Sequence, residues 1–294
     1  MTYAPGGMPD RLLASVDERR PAVLEIIRQA RHRITLSLFR CNDDAVFAEL
    51  KAAVERGVAV EVLVTSRAKG GKKKMVKLWR SLEETGATIH SYTDPVVKYH
   101  AKYLVADEGP AIVASLNFTR KCFNATCDAL VITHDPIVVG DLRRLWIADR
   151  DRQPMPRDLS DRLIVGPERA RRQFTALIEG ARHSIRLIDA KLSDPDLVSL
   201  LNAKRASGMT VETFTVKRFG DLKSHGKIML IDDETVVAGS LALGAMSLDF
   251  RREVAIVVKE SPAVAAAVEL FDAVREAVAS GQHAVVQRKD EAAC

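Results

Sequence analysis

The spacing of apolar residues switches between a helical and a strand-like period along the chain. An early helical segment leads into a strand-like stretch at 30–38, and its apolar positions are Val23, Ile26, Ile27 and Ala30. A second helix is predicted to stop at Gly57, and its apolar positions are Val46, Phe47, Leu50 and Val54. The β-branched run at 58–64 predicts the next strand. Strands that alternate with helices predict an α/β sheet flanked by helices.

The same order of elements returns in the second half, so the chain is an internal repeat. The stretch at 181–189 begins 151 positions after residue 30 and is again preceded by helical spacing. The matching apolar positions are Phe174, Leu177, Ile178 and Ala181, then Leu197, Leu200 and Leu201 before Gly208. Later motifs are offset by only 125 positions, so the first half holds 26 extra residues within roughly 65–92.

A polar, proline-bearing stretch at 149–161 separates the two halves. Its composition predicts a linker with a boundary near Pro156. The chain is therefore expected to form two lobes, residues 1–155 and 156–294, and the first lobe carries the extra segment.

Five polar positions coincide under the 125-residue offset. Counted from each histidine, they are His100 and His225, Lys102 and Lys227 at +2, Asp107 and Asp232 at +7, Ser115 and Ser240 at +15, and Asp128 and Glu253 at +28. Apolar runs on either side of the aspartates predict a strand, a tight turn and a returning strand. Side chains alternate along a strand, so each histidine and its lysine should share a face. The two aspartates are expected to fix the hairpin.

Two imidazoles and two ammonium groups suit displacement at phosphorus. Lysines supply fixed positive charge to phosphate oxygens as the reaction proceeds. One histidine can attack phosphorus while the other protonates the leaving alcohol, which divides a difficult displacement into two easier steps. The carboxylates are too scattered for a two-metal phosphoryl-transfer site, so the pattern requires no metal and no other cofactor.

These motifs, "HAKYLVAD" with "ASLN" and "HGKIMLID" with "GSLA", resemble the H-x-K-x4-D and G-S-x-N pattern of the phospholipase D superfamily. The resemblance implies two α-β-α sandwich lobes with mixed sheets, related by a pseudo-twofold axis, and one site between them. It further implies a phosphohistidine on His100, with His225 as general acid and base.

The resemblance also assigns the remaining polar residues of the motifs. Lys102, Lys227 and Asn117 would hold phosphate oxygens, and Asp128 and Glu253 would each orient one imidazole. Ser115 and Ser240 would either bind phosphate or cap the turn.

Three positions depart from the family pattern. Ala114 stands in place of a glycine, and Asp128 in place of the more usual glutamate. Ala242 stands where a second asparagine is expected, which removes one phosphate ligand from the second half. The two half-sites are therefore not expected to be fully symmetric.

The family pattern does not choose the substrate. The extra segment includes a Lys-rich stretch at 66–77, followed by a predicted helix and strand, and it can contact a nucleic-acid backbone, anionic headgroups or only solvent. Aromatic residues make up 5% of the chain, which gives little support to base-stacking platforms, and no single loop is apolar and aromatic enough to dock on a membrane. The two-motif chain resembles the phospholipase D and cardiolipin synthase branch, which favours a phospholipid. A metal-independent nuclease is the main alternative, and a noncatalytic phosphate-binding module is the third.

Net charge and the distribution of apolar residues bear on where the protein is located in the cell. The net charge of +5 favours acidic partners without requiring them. The start of the sequence does not follow the pattern of a secretion signal, and no apolar run reaches the length of a membrane span. Together these features predict a soluble cytoplasmic protein that can contact an anionic membrane peripherally. One chain can supply both half-sites, and the sequence leaves the oligomeric state open.

Overall fold

The computed structural model describes residues 8–66, 72–281 and 283–284. Its helices are α1 (Val16–Gln29), α2 (Asp44–Glu55), α3 (Lys72–Glu83), α4 (Arg120–Asn124), α5 (Pro136–Asp151), α6 (Ala170–Gly180), α7 (Pro195–Ala206), α8 (Ala245–Phe250) and α9 (Ser261–Ala279). The strands of the first half are β1 (Arg11–Leu13), β2 (Arg33–Leu38), β3 (Ala59–Thr65), β4 (Thr88–Tyr92), β5 (Lys98–Tyr99), β6 (Tyr103–Ala106), β7 (Ala111–Ala114), β8 (Thr126–Cys127) and β9 (Leu130–Thr133). Those of the second half are β10 (Leu163–Gly166), β11 (Ser184–Asp189), β12 (Thr210–Phe214), β13 (Arg218–Phe219), β14 (Leu222–Ser224), β15 (Lys227–Ile231), β16 (Thr235–Gly239), β17 (Arg251–Val258) and β18 (His283–Ala284).

Each half builds one mixed sheet with the same strand order. The first sheet runs β1-β9-β7-β6-β2-β3-β4, and the second runs β10-β17-β16-β15-β11-β12. In both sheets the early strands pair in parallel, as β2 with β3 and β11 with β12, and the motif strands form antiparallel hairpins, β6 with β7 and β15 with β16. The predicted α/β fold with two repeated lobes is confirmed.

Helices α5 and α9 lie between the two sheets and join them into one core. Trp146 of α5 and Phe271 of α9, at 1% and 0% exposure, belong to a single apolar cluster that also contains strand residues of both lobes. The outer faces have their own clusters, covered by α1, α2 and α3 on the first sheet and by α6 and α7 on the second. None of the helices in the described part of the chain is long and apolar enough to cross a bilayer.

Two short strand pairs cross from one lobe to the other. Strand β5 of the first half pairs with β17 of the second, which sets Lys98 opposite Arg251. Strand β14 of the second half pairs with β8 of the first, which sets Lys223 opposite Thr126. The two pairs map onto each other under the 125-residue offset, as the predicted pseudo-twofold relation requires.

The extra segment of the first half adds α3 and the edge strand β4, in agreement with the predicted helix and strand. The predicted Lys-rich contact falls mostly outside the described residues, because 67–71 are not described and nothing is known of the side chains at 72–74. The predicted linker begins too early, since α5 continues to Asp151 and Asp149 is 4% exposed. We keep a boundary near Pro156, within the connection from α5 to β10, as a proposal.

Candidate active site

Each motif histidine lies between two short strands, not inside one continuous strand as the sequence predicted. His100 follows β5, which pairs with the other lobe, and Lys102 leads into β6 of its own sheet. His225 stands in the same way between β14 and β15. The strand is interrupted at this point because the residues before each histidine pair with a strand of the other lobe, whereas those after it pair within their own sheet. Each histidine therefore lies at the lobe interface.

The acids that orient the histidines come from the opposite lobes. Asp128 carboxylate oxygens lie 2.9 and 3.0 Å from Nδ1 of His225, and Glu253 Oε1 contacts Nδ1 of His100. The cross-lobe strand pairs explain this exchange, because β8 ends next to Asp128 and β17 contains Glu253. With Nδ1 held by a carboxylate, Nε2 of each imidazole is the nitrogen left for chemistry.

Buried hydroxyl groups hold the two acids in place. Ser115 donates to Asp128 at 2.7 Å and Thr126 donates to the same carboxylate at 2.6 Å. In the second half Ser247 contacts Glu253, and Ser240 donates to the carbonyl of Val254 at 3.3 Å.

This bonding corrects one expectation about the motif serines. Ser115 and Ser240 are 0% and 1% exposed. Each hydroxyl also accepts a backbone N–H of the neighbouring strand, from Ala129 and Val254 respectively. The structure therefore favours positioning roles for both serines over the predicted phosphate contact.

The two motif lysines sit in equivalent places beside their own histidines. Lys102 Nζ donates to the carbonyl oxygen of His100 at 2.7 Å, and Lys227 contacts that of His225 in the same way. Lys102 Nζ also lies 3.1 Å from Nδ1 of His100, where it can donate only when that nitrogen carries no proton. Each half-site thus holds a lysine amino group next to its imidazole, as the spacing predicted, and burial lowers the pKa of Lys102 well below its ordinary value.

The electrostatics of the two half-sites differ. Burial lowers the pKa of His100 well below its ordinary value, and the charges of Lys102 and Lys227 lower it further. Burial raises the pKa of Glu253 above its ordinary value. Burial alone would raise the pKa of Asp128, but His225, Lys227 and the Ser115 hydrogen bond together lower it. Burial also lowers the pKa of His225, with Asp128 opposing this shift and Lys227 adding to it. Both imidazoles are therefore shifted toward the neutral form, and the half-sites differ in their acids, since the pKa of Asp128 is lowered and that of Glu253 is raised.

Asp107 and Asp232 are structural, in line with the sequence expectation, although their contacts reach beyond the hairpin turn. Asp107 has a positive φ of 44° and accepts the backbone N–H groups of Arg31, His32 and Arg33, where β2 begins. Asp232 has a φ of 54° and does the same for 182–184 before β11. Each aspartate ties its hairpin to the start of the adjacent strand.

A cavity of about 1380 Å³ opens over both histidines. Asn117 lines it, and its buried Oδ1 has no hydrogen-bond partner among the described residues, so the amide group can turn to a substrate. The equivalent Ala242 offers only its backbone, whose N–H donates to Ser247. The phosphate-holding roles of Asn117 and the motif lysines remain predictions.

Sequence reasoning missed several cavity residues. Arg40 and Lys191, which correspond under the 151-residue offset, both line the cavity, as do Phe39 and Arg251. Burial lowers the pKa of Lys191, and Lys227 lowers it further. The matching basic pair after β2 and β11 was visible in the sequence, but a single basic residue after a strand carries too little information to be noticed.

One group of side chains in the described part of the chain could meet around a metal ion. Cys122, Asp128 and His225 have ligand atoms within 4.8 Å of one another. Asp128 and His225 are already bonded to each other. The buried guanidinium of Arg19 lies close enough to Cys122 and Asp128 for these two residues to affect the pKa of Arg19. Positive charge at this place disfavours a cation, so we assign the group to histidine positioning. That the reaction needs no metal stays a prediction.

The sequence comparisons match this chain to cardiolipin synthases. Residues 23–148 match the family model described as the cardiolipin synthase, PLD-like domain. Cardiolipin synthase A of Pseudomonas aeruginosa (strain LESB58) is 28% identical over 127 residues, which cover 43% of this chain and 26% of that protein. Cardiolipin synthase B of Escherichia coli (strain K12) is 24% identical over 320 aligned positions, which cover 85% of this chain and 76% of that protein.

A solved structure extends the likeness to both lobes. The polyphosphate kinase of Porphyromonas gingivalis superimposes with a TM-score of 0.70 and 21% identity, over 92% of this chain and 50% of that one. This likeness concerns the fold alone. The doubled H-x-K-x4-D motif, its convergence on one cavity and the sequence matches agree, and together they support the phospholipase D superfamily.

Proposed function

We propose that the protein is a phospholipase D-like phosphodiesterase or phosphatidyltransferase that acts on a phospholipid through a covalent phosphohistidine. The observation that carries the proposal is the pair of histidines facing one cavity, each held by a carboxylate of the opposite lobe and each beside a lysine. Neither lobe supplies a complete set of these groups by itself.

In the first step, Nε2 of His100 attacks phosphorus and the bond from phosphorus to the leaving alcohol breaks. His225 gives its proton to the departing oxygen, so an alcohol leaves and a phosphohistidine remains. A neutral His100 suits the nucleophile, because a protonated imidazole has no lone pair to donate. Ionised Asp128 suits the acid, because a negative charge at Nδ1 stabilises the imidazolium of His225.

In the second step, His225 takes a proton from water or from an acceptor alcohol, whose oxygen attacks phosphorus. The bond between phosphorus and His100 breaks, which restores the free enzyme and releases the product. Water gives hydrolysis and an alcohol gives transfer. Lys102, Lys227 and Asn117 would stabilise the charge on the phosphoryl oxygens in both steps.

The sequence relatives favour a phospholipid, since both are named cardiolipin synthases. A metal-independent nuclease is the second candidate, and basic residues at the cavity favour it. These are Arg40, Arg80, Lys98, Lys191 and Arg251. The polyphosphate kinase likeness concerns the fold and does not decide between substrates.

The test is turnover of bis(p-nitrophenyl) phosphate, of phospholipid vesicles, and of single- and double-stranded DNA. We expect wild-type turnover of phospholipid and loss of all turnover in His100→Ala, with trapped phosphoryl adduct on His100 in the wild type. Asp141→Asn is the control, because Asp141 is a buried acid that binds Arg144 and Ser160 and does not line the cavity. Full activity of His100→Ala contradicts the mechanism, and cleavage of DNA without phospholipid selects the nuclease.

A further inference from the structure

We propose that the mouth of the cavity docks onto the surface of an anionic lipid bilayer. The inference rests on the proposed phospholipid substrate and adds where the protein meets the membrane that would hold it.

Exposed apolar side chains concentrate at this mouth. Among the described residues, seven large apolar side chains are exposed, and three of them, Met8, Ile137 and Ile147, neither line the cavity nor lie within two positions of a lining residue. The other four, which we call the apolar rim, are Val76, Val96, Met246 and Phe250, at 65%, 66%, 46% and 45% exposure.

The rim is tied to the cavity by contact or by the chain. Val76 of α3 and Met246 of α8 line the cavity directly. Val96 stands two positions before the lining residue Lys98, and Phe250 stands next to the lining residue Arg251. Met246 and Phe250 are also four positions apart on α8, so they share one face of that helix. Helices α3 and α8 thus place apolar side chains in the cavity wall itself, and Val96 and Phe250 each precede a wall residue by one or two positions.

Basic side chains share the same opening. The cavity wall includes five of them, which we call the basic collar: Arg40, Arg80, Lys98, Lys191 and Arg251. Among the described residues of the wall, Glu83 is the one carboxylate. The collar therefore presents net positive charge to whatever covers the mouth, which complements an anionic surface.

A bilayer fits the two features together better than nucleic acid does. Anionic headgroups satisfy the collar, and the boundary with the acyl chains accepts the apolar rim. A nucleic-acid backbone satisfies the collar, but valine and methionine have no ring to stack on bases, so most of the rim would lose water without gaining a partner. Docking at the mouth would also present headgroup phosphates directly to His100 and His225.

The test compares binding of the purified full-length chain to vesicles of phosphatidylcholine alone and of phosphatidylcholine mixed with phosphatidylglycerol. We expect the wild type to bind the mixed vesicles more tightly, and added salt to weaken this binding by screening the collar. Phe250→Asp should weaken it about tenfold, because a charged side chain replaces one that inserts into the apolar boundary. Val96→Asp should act in the same direction.

Ile137→Asp is the matched control, since Ile137 on α5 is as exposed as Val96, at 66%, but does not line the cavity, and it should change vesicle affinity by less than about twofold. Circular dichroism melts establish that each variant is folded. Equal losses in Ile137→Asp and Phe250→Asp, or wild-type binding that ignores phosphatidylglycerol, overturn the proposal.

Two further arms separate the alternatives. Binding of labelled single- and double-stranded DNA is measured in the same buffer, and a loss in Phe250→Asp for DNA but not for vesicles overturns the proposal in favour of nucleic acid. The inactive His100→Ala protein should bind vesicles as the wild type does. Binding needs no turnover. If the wild type binds vesicles but does not turn over phospholipid, the docking surface is supported and the proposed function is contradicted.

Discussion

At the scale of single residues, the two half-sites are not interchangeable. Their acids are exchanged between lobes, and the pKa values of these acids are shifted in opposite directions: that of Asp128 is lowered, whereas burial raises that of Glu253. Asp128 owes its charge to His225 and Lys227 and to the Ser115 hydroxyl. This difference agrees with distinct roles for the two histidines, with His100 attacking and His225 moving protons.

Asp128→Asn tests the exchange between lobes. The amide cannot stabilise an imidazolium at His225, so we expect kcat for a small phosphodiester to fall about 100-fold or more. A phosphoryl adduct on His100 should still form slowly, because its own partner is Glu253. An Asp128→Asn protein with the kcat of the wild type would contradict the assignment.

The lowered pKa of His100 predicts how stability depends on pH. In the unfolded chain the imidazole takes up a proton below about 6.5, but in the folded protein burial and the two lysines oppose this uptake. Protonation therefore favours the unfolded state, and stability falls as the pH drops below 6.5 toward the folded-state pKa. Urea unfolding of wild type and His100→Asn should show that the wild type loses about 1 kcal/mol more per pH unit in this window. Equal losses in both proteins would contradict the shift.

At the scale of elements, strand β17 connects the lobes beneath the site. Its Arg252 is 4% exposed and binds Asp149 of α5 at 2.8 Å and Glu168 at 2.6 and 2.8 Å. Its carbonyl accepts the backbone N–H of His100 at 2.9 Å, and the next residue is Glu253. Burial raises the pKa of Asp149 to about 7, against the opposing charge of Arg252. This buried ion cluster fixes the strand that brings Glu253 to His100.

Arg252→Met should lower the free energy of unfolding by about 3 kcal/mol, because it leaves the buried Asp149 without its partner. Turnover should fall as well, since β17 loses its anchor. Arg275→Met is the matched control: Arg275 pairs with Glu212 on the surface at 44% exposure, and its loss should cost less than about 1 kcal/mol. Denaturant titrations measure both, and equal costs would contradict the anchoring role.

At the scale of the whole molecule, the shared core makes the lobes depend on each other. Helices α5 and α9 fill the space between the sheets, so Trp146 and Phe271 belong to one apolar cluster. Both tryptophans, Trp79 and Trp146, lie in the first half, so their fluorescence reports on the first lobe.

Phe271→Ala, in the second lobe, should therefore destabilise the first lobe as well. We expect a loss of about 3–5 kcal/mol, seen as the same shift in the tryptophan fluorescence and the far-ultraviolet circular dichroism transitions. Phe250→Ala is the size-matched control, because Phe250 is 45% exposed and its truncation removes little buried surface. An unshifted fluorescence transition in Phe271→Ala would show that the lobes unfold independently.

The repeat, the α/β class, the repeated polar positions and the structural role of Asp107 and Asp232 could be predicted from the sequence. These features follow from periodicity and spacing, which a linear chain records directly. The sequence also located the extra helix and strand of the first half. It erred where local pattern gave no information about neighbours: it placed His100 and His225 inside continuous strands, and it ended α5 before Asp149 and Asp151.

The pairing of each acid with its histidine could not be predicted, because it depends on how the two lobes meet. Asp128 lies 97 positions from His225, and no spacing rule links them; the pairing follows from β8 and β14 meeting across the lobes. Burial likewise decided the charges, because desolvation depends on everything packed around a group and not on its neighbours in the chain. The apolar rim has the same origin: its residues come from three distant segments, and folding alone brings Val76 of α3 and Met246 of α8 to one cavity.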